Sequence, residues 1–193
     1  MGKETETYYP KNRQEWRRWL QNNHDKKQSV WLIYYKKKSN IPTITYSEAV
    51  DEALCFGWID SKTKSLDDVK FMQFFSKRKP NSVWSKVNKE RIERLTNDGL
   101  MTKAGFEIIE TAKKNGAWKV LDEVEALVIP KDLDAELDKR TGAKSYFLGL
   151  SRSDRRNILQ WLRLAKRQET RQKRITEIAE LAEQNLKPKQ FRG

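Results

Sequence analysis

Few side chains in this 193-residue sequence could do chemistry alone. There is one cysteine, Cys55, and one histidine, His24. A reactive thiol needs its pKa lowered by a helix N-terminus or by nearby cations. Cys55 sits instead within Leu54-Cys55-Phe56, at the far end of an apolar helical stretch, and reads as a small buried hydrophobe. His24 lies in the polar connection at residues 22–27 with no second catalytic partner beside it. An exposed or helix-capping role fits it better than that of a general base. One His and one Cys cannot make a structural zinc site, and the acids are spread along helix surfaces. The eight glycines are scattered and form no phosphate loop. No catalytic residue, metal or cofactor is therefore expected.

Two constellations remain. Asp60 follows the Gly57 turn beside aromatic residues, where burial could raise a carboxyl pKa. The competing reading is a carboxylate that accepts backbone hydrogen bonds or pairs with Lys62 or Arg78. The second constellation is basic with interleaved rings. Lys62, Lys64, Lys77, Arg78 and Lys79 lie near Trp58, Phe75 and Trp84 in sequence. Single-stranded nucleic acid is held by this pairing, with cations following phosphates and rings stacking on bases. Ser82, Ser85 and the amides at the head of the following helix could receive a phosphate. A further basic surface, including Arg163, Lys166, Arg167, Arg171, Lys173 and Arg174, falls on two helices whose basic bend suits helix-turn-helix geometry. A solvated core-and-surface arrangement would look the same in both places.

These residues need elements to hold them. Residues 46–55 read as a short amphipathic helix with Tyr46, Ala49, Val50, Ala53 and Leu54 on one face. Glu48, Asp51 and Glu52 are expected to point away from it. Thr45 and Glu48 fit a capping box, and Gly57 supplies the positive φ that ends the helix. A helix is expected over 12–22, a central strand over 29–36, and a hairpin of strands over 58–66 and 69–76. Lys62 and Lys64 share one face of that hairpin, with Ser61 and Thr63 on the other. Helices follow over about 83–97, from Thr102 to about 115, and from Pro130 to 139. From Ser151 a stripe of Ile158, Trp161, Leu162 and Ala165 fails over 166–174 and resumes at Ile175, which favours two helices over one.

Size and composition allow one substantial core or two small ones. Hydrophobic residues make up 37% of the chain and seven are tryptophan, so a folded globule is expected despite the charge. Lys and Arg exceed Asp and Glu by 40 to 27, a net charge of +13. From Arg140 onward there are 14 basic and 5 acidic residues, so the excess is concentrated at the C-terminus. Anionic partners follow as a function class. The single cysteine suits a reducing cytoplasm and no run reaches the length of a membrane span. The N-terminus is polar, with no apolar segment of signal-peptide type.

Ala53-Leu54-Cys55-Phe56-Gly57-Trp58-Ile59-Asp60 resembles the signature of the YdeI/OmpD-associated, or bacteriocin-protection, family. Residues 75–88, with their basic loop and Trp84-Ser85-Lys86-Val87-Asn88, resemble its next segment. So do Gly99-Leu100-Met101 through Gly105, Phe147 with Leu150, and the C-terminal stretches 161–166 and 169–175. Gln168 stands where proline is expected in many relatives. The resemblance spans residues 8 to 186 and brings no reaction, cofactor or catalytic residue with it. It implies small α+β domains related to the YjbR and frataxin-like superfamily, and a link to stress or bacteriocin resistance.

The sequence thus predicts an α+β protein, a small antiparallel sheet with packed helices followed by an all-helical C-terminal region. Residues 8–140 form the α+β domain with its helical layer and 141–186 the C-terminal helical pair, with loose tails at 1–7 and 187–193. The leading expectation is a non-catalytic cytoplasmic protein that binds an anionic partner, nucleic acid foremost, through Lys62, Lys64, Lys77, Arg78, Lys79, Arg171 and Arg174. The alternative is a small-ligand protein or enzyme with a pocket around Trp58, Asp60, Trp84 and Asn88. A third is a stress-response protein that acts through protein partners.

Overall fold

The structure, a computed structural model, describes residues 6–192. It contains two compact units, Met1–Trp118 and Lys119–Gly193. The boundary expected between residues 140 and 141 lies inside the second unit, next to Gly142. The φ of +75° at Gly142 lets it lead one helix into the next.

The first unit is built on a four-stranded sheet: β1 (Thr7–Tyr8), β2 (Ser29–Tyr35), β3 (Trp58–Ser65) and β4 (Lys70–Lys77). The spatial order is β1-β2-β4-β3. The expected hairpin is present, with β2 antiparallel to β4 on the other side. β1 adds a parallel pair that the antiparallel reading missed. It falls partly in the expected N-terminal tail, and two residues are too few to carry a periodic signal. Residues 1–5 of that tail lie outside the described residues.

Four longer helices belong to this unit: α1 (Arg13–Asn23), α2 (Tyr46–Cys55), α3 (Lys86–Asn97) and α4 (Lys103–Lys114). Each starts where a short polar side chain accepts from the first turn. Asn12 accepts from the Glu15 amide, Thr45 makes a full capping box with Glu48, Ser85 caps α3 and Thr102 caps α4. Helix α3 thus begins at Lys86, about three residues beyond the start expected near 83.

Helix α2 is the centre of the unit, and its small residues explain why. Ala49 and Ala53 let neighbours approach closely, and Trp16 Nε1 donates to the Ala49 carbonyl at 3.0 Å. Every residue from Ala49 to Cys55 is buried, the acids included. Asp51 and Glu52, expected to face water, are clamped instead. Glu52 accepts from Arg13 at 2.5 Å and Arg17 at 2.6 Å, both on α1. Asp51 accepts from Arg91 at 2.5 Å and Arg94 at 2.6 Å, both on α3. The helix is covered on both flanks, so its polar stripe meets arginines rather than solvent.

The core lies between these helices and one face of the sheet, with Trp16, Trp58, Trp84 and Phe75 fully buried. Each such ring removes about 150–250 Å² from water, roughly 4–6 kcal/mol of transfer free energy before entropy is counted.

The second unit is helical: α5 (Asp122–Glu125), α6 (Lys131–Asp138), α7 (Ala143–Gly149), α8 (Arg152–Arg163) and α9 (Gln168–Glu183). The expected break between the two C-terminal helices falls at residues 164–167. Helix α9 packs on α6 and α7, burying Ile175, Ile178, Ala179 and Ala182. The expected C-terminal tail is held as well. Lys187 reaches Asp154 at 3.2 Å, and Phe191 sets its ring edge-on to Trp161 at 5.9 Å.

Candidate nucleic-acid interface

Alternation along β2 sends Val30, Leu32 and Tyr34 into the core and Trp31, Ile33 and Tyr35 to the opposite face. The register carries that division across the sheet. Trp31 stands opposite Phe74, Ile33 opposite Met72 and Tyr35 opposite Lys70. None of Trp31, Ile33, Met72 or Phe74 joins the core cluster; Trp31, Ile33 and Phe74 remain half-buried, while Met72 is buried at 8% exposure. The Trp31 and Phe74 rings meet edge to face, 5.0 Å between centroids.

Strand β3 supplies the charge through an irregularity in its register. Asp60 stands opposite Phe75, whereas Thr63 stands opposite Gln73, so the pairing slips by one residue between them. Such a bulge reverses which face a side chain takes. Asp60 therefore lies on the core side and Lys62 on the other. The Lys62 ammonium sits 5.5 Å from the Trp31 ring centre and 5.6 Å from that of Phe74. Lys64, opposite Met72, extends the same row of charge, and both lysines are exposed. Rings and cations thus share one face of a sheet whose other face holds the core.

The remaining sequence-named residues divide sharply. Trp58 and Phe75, named as stacking rings, are fully enclosed, and Trp84 is 2% exposed. The ring that reaches the open face is Phe74, one residue from the one named. Lys77 donates to the Asp25 carbonyl at 2.8 Å, and Lys79 is exposed in its loop. Arg78 is buried, with its guanidinium 3.4 Å from the centre of the Trp84 ring. That position takes it away from any phosphate path along the surface. Desolvation pulls its pKa down to about 10, opposed by the charge of Asp60.

Asp60 accepts from the Tyr46 hydroxyl and from Gln73 Nε2, each at 2.9 Å, and not from Lys62 or Arg78. Burial and that bond raise the Tyr46 pKa to about 12. Asn88 is half-buried in the first turn of α3, where its amide donates to the Ser85 hydroxyl at 3.3 Å. Trp58 lines a surface cleft, while Asp60, Trp84 and Asn88 do not line it with Trp58.

In the second unit the two named cations already have partners. Arg171 holds Asp132 with two bonds of 2.7 and 2.8 Å, which lower the Asp132 pKa. Arg174 stacks on Trp161 at 4.7 Å and donates to that residue's carbonyl. Both are tied to neighbouring helices.

His24 closes the end of α1, its Nδ1 3.0 Å from the Leu20 carbonyl, in the helix-capping role expected. Cys55 is buried, and desolvation together with the Glu52 charge pushes its thiol up to about 11, against the pull of Arg17 and Arg13. Among the described residues no group of three or more His, Cys, Asp or Glu side chains is placed to hold a metal. No helix of the described chain is long and apolar enough to cross a membrane.

Fold and surface define the class: an α+β unit with a one-sided sheet platform, and a separate helical unit. The chain belongs to the family described as a domain of unknown function (DUF8412), matched at residues 8–108, just over half of its length. Residues 126–185 match the family described as bacteriocin-protection, YdeI or OmpD-associated, the family that the sequence resembles. The stretch 53–60 lies within the first of these matches. No curated protein and no solved structure matches the chain.

Proposed function

We propose that this chain is a non-catalytic cytoplasmic protein that binds single-stranded nucleic acid on the open face of its sheet. The supporting observation is the cluster of Trp31, Phe74, Lys62 and Lys64, rings and cations interleaved on one surface. Bases stack on such rings because every base has a π-face, and lysines follow the phosphates. A four-stranded sheet with aromatics on its open face is also a recurrent solution for unstacked RNA bases. A duplex, whose bases are already stacked on one another, offers these rings nothing to stack on. The link to bacteriocin protection rests on the family description alone.

The test is fluorescence anisotropy with short labelled single-stranded RNA, single-stranded DNA and duplex DNA at low and moderate salt. Binding should favour single strands and weaken steeply with salt. Trp31→Ala removes a stacking platform worth about 1–3 kcal/mol per base, so affinity should fall roughly 5- to 150-fold. Lys62→Gln should weaken binding and flatten the salt dependence by about 0.7 in log–log slope. Absence of binding at low salt, or Trp31→Ala binding like the parent, overturns the proposal.

A further inference from the structure

We infer that the cleft between His24, Phe56, Trp58, Lys77 and α4 is a second, separate site, which binds a small molecule through an oxyanion head, a carboxylate or a phosphate, at Arg78. The cleft has a volume of about 410 Å³, within the range of small-molecule sites. Arg78 lines it beside Gly57 and Trp58, and Ile108 and Ala104 of α4 form an apolar wall.

Arg78 is the reason to look for an anion there. It is 5% exposed, and only Nη2 has a partner, the Val83 carbonyl at 2.5 Å. Its Nε and Nη1 are buried without a hydrogen-bond partner, as is Nε1 of the Trp84 ring beneath it. A buried guanidinium without a carboxylate is costly, and buried polar groups left unpaired are rare. Asp60 is the acid whose charge reaches it, and the carboxylate oxygen Oδ2 is already held by Tyr46 and Gln73. An oxyanion offers the planar pair of acceptors that a guanidinium fork matches.

The rest of the cleft narrows the ligand. Lys77 uses one of its three donors on the Asp25 carbonyl and retains two. His24 engages Leu20 through Nδ1, and among the described residues its Nε2 has no hydrogen-bond partner. Asp25 and Glu107 also line the cleft, which disfavours a polyanion such as nucleic acid and favours a single anionic head. The half-buried Ala104 and Ile108 suit an apolar body attached to that head.

The seven tryptophans make the site readable by the indole N–H signals of the full chain in a ¹⁵N-labelled sample. Inorganic phosphate and benzoate are titrated separately. Saturable shifts at Trp58 and Trp84, with Trp31 and Trp161 unmoved, are expected with at least one of them. Benzoate alone identifies a carboxylate site and phosphate alone a phosphate site. Arg78→Lys keeps the charge and loses the fork, so affinity should weaken about tenfold. Should that variant fail to fold, Thr111→Trp on the exposed rim of α4 fills the cleft without touching Arg78, and should abolish the shifts. No saturable shift from either anion overturns the inference, and so do Trp84 shifts that survive Thr111→Trp. An oligonucleotide reports on the sheet face through Trp31 instead, so the two sites fail or stand separately.

Discussion

The two acids of α2 illustrate what a single buried charge does in this fold. Glu52 is 1% exposed and has two arginines, each about one third exposed. Removing the acid breaks both pairs at once and takes the carboxylate from two partly buried cations. Removing either arginine leaves the carboxylate one partner. Glu52→Ala should therefore cost about 3 kcal/mol, and Arg13→Ala nearer 1 kcal/mol, as read from urea unfolding midpoints. Equal losses would mean that Glu52 is not held jointly. Cys55 sits one turn from this clamp and makes a pH prediction. Its thiol is raised from 9.0 to about 11, so the folded state keeps a proton that the unfolded state releases. This stabilisation is complete below pH 9 and is lost as pH rises through 11, a change of at most about 2–3 kcal/mol. Tyr46 acts in the same direction at higher pH. Cys55→Ala should flatten the decline across the thiol's window, and an unchanged pH profile would contradict the assignment.

At the scale of elements, the crossing of α4 over the end of α2 depends on the absence of a side chain. A Cβ at Gly105 would stand 2.4 Å from the Cys55 carbonyl oxygen, a backbone atom with little room to give. That same carbonyl accepts from the Thr102 hydroxyl at 2.6 Å and from its amide at 3.2 Å. Gly105→Ala must separate the helices, at a cost of about 1–3 kcal/mol from overpacking, and thermal unfolding should show it. Gly116→Ala, which meets no atom within 4 Å but sits at a φ of +80°, is the control for backbone strain alone. Were Gly105→Ala neutral or stabilising, as Gly→Ala is inside an unencumbered helix, the close approach would carry no energy. Elements of this kind were legible to different degrees. Helix α2, its capping box and Gly57 were readable because caps and turn residues act locally. The burial of Asp51 and Glu52 was not, because their arginines come from residues 13, 17, 91 and 94. Nor was the platform: β4 is apolar on both faces, so Phe71-Met72-Gln73-Phe74-Phe75 does not say which ring faces out. The bulge after Asp60 then breaks the parity that would have linked Asp60 to Lys62.

For the whole molecule, the distribution of charge matters more than its total. The C-terminal excess of cations invites a nucleic-acid reading, yet within the second unit many are already bound. Arg156 holds Glu125, Arg140 holds Glu136, Lys144 bridges Asp134 and Asp138, Lys187 holds Asp154, and Arg171 and Arg174 are tied as described. All but the local Arg140–Glu136 pair tie separate segments together around a core of Leu133, Leu137, Phe147, Ile158 and Leu162. A fragment of residues 119–193 should therefore fold alone, with a cooperative loss of helical circular dichroism on heating; a gradual, featureless melt would show that its core is insufficient. The same accounting separates the two basic regions functionally. Arg171→Ala breaks a two-bond pair with a half-exposed acid and should cost about 1 kcal/mol of stability. Because its charge is already neutralised by Asp132, oligonucleotide affinity should change less than about threefold. Lys62 has rings rather than an acid beside it, so its charge remains available to a phosphate and its loss should weaken binding more. If Arg171→Ala and Arg174→Ala weaken oligonucleotide binding as strongly as Lys62→Gln, the phosphate path includes the helices, and a sheet-only interface is wrong.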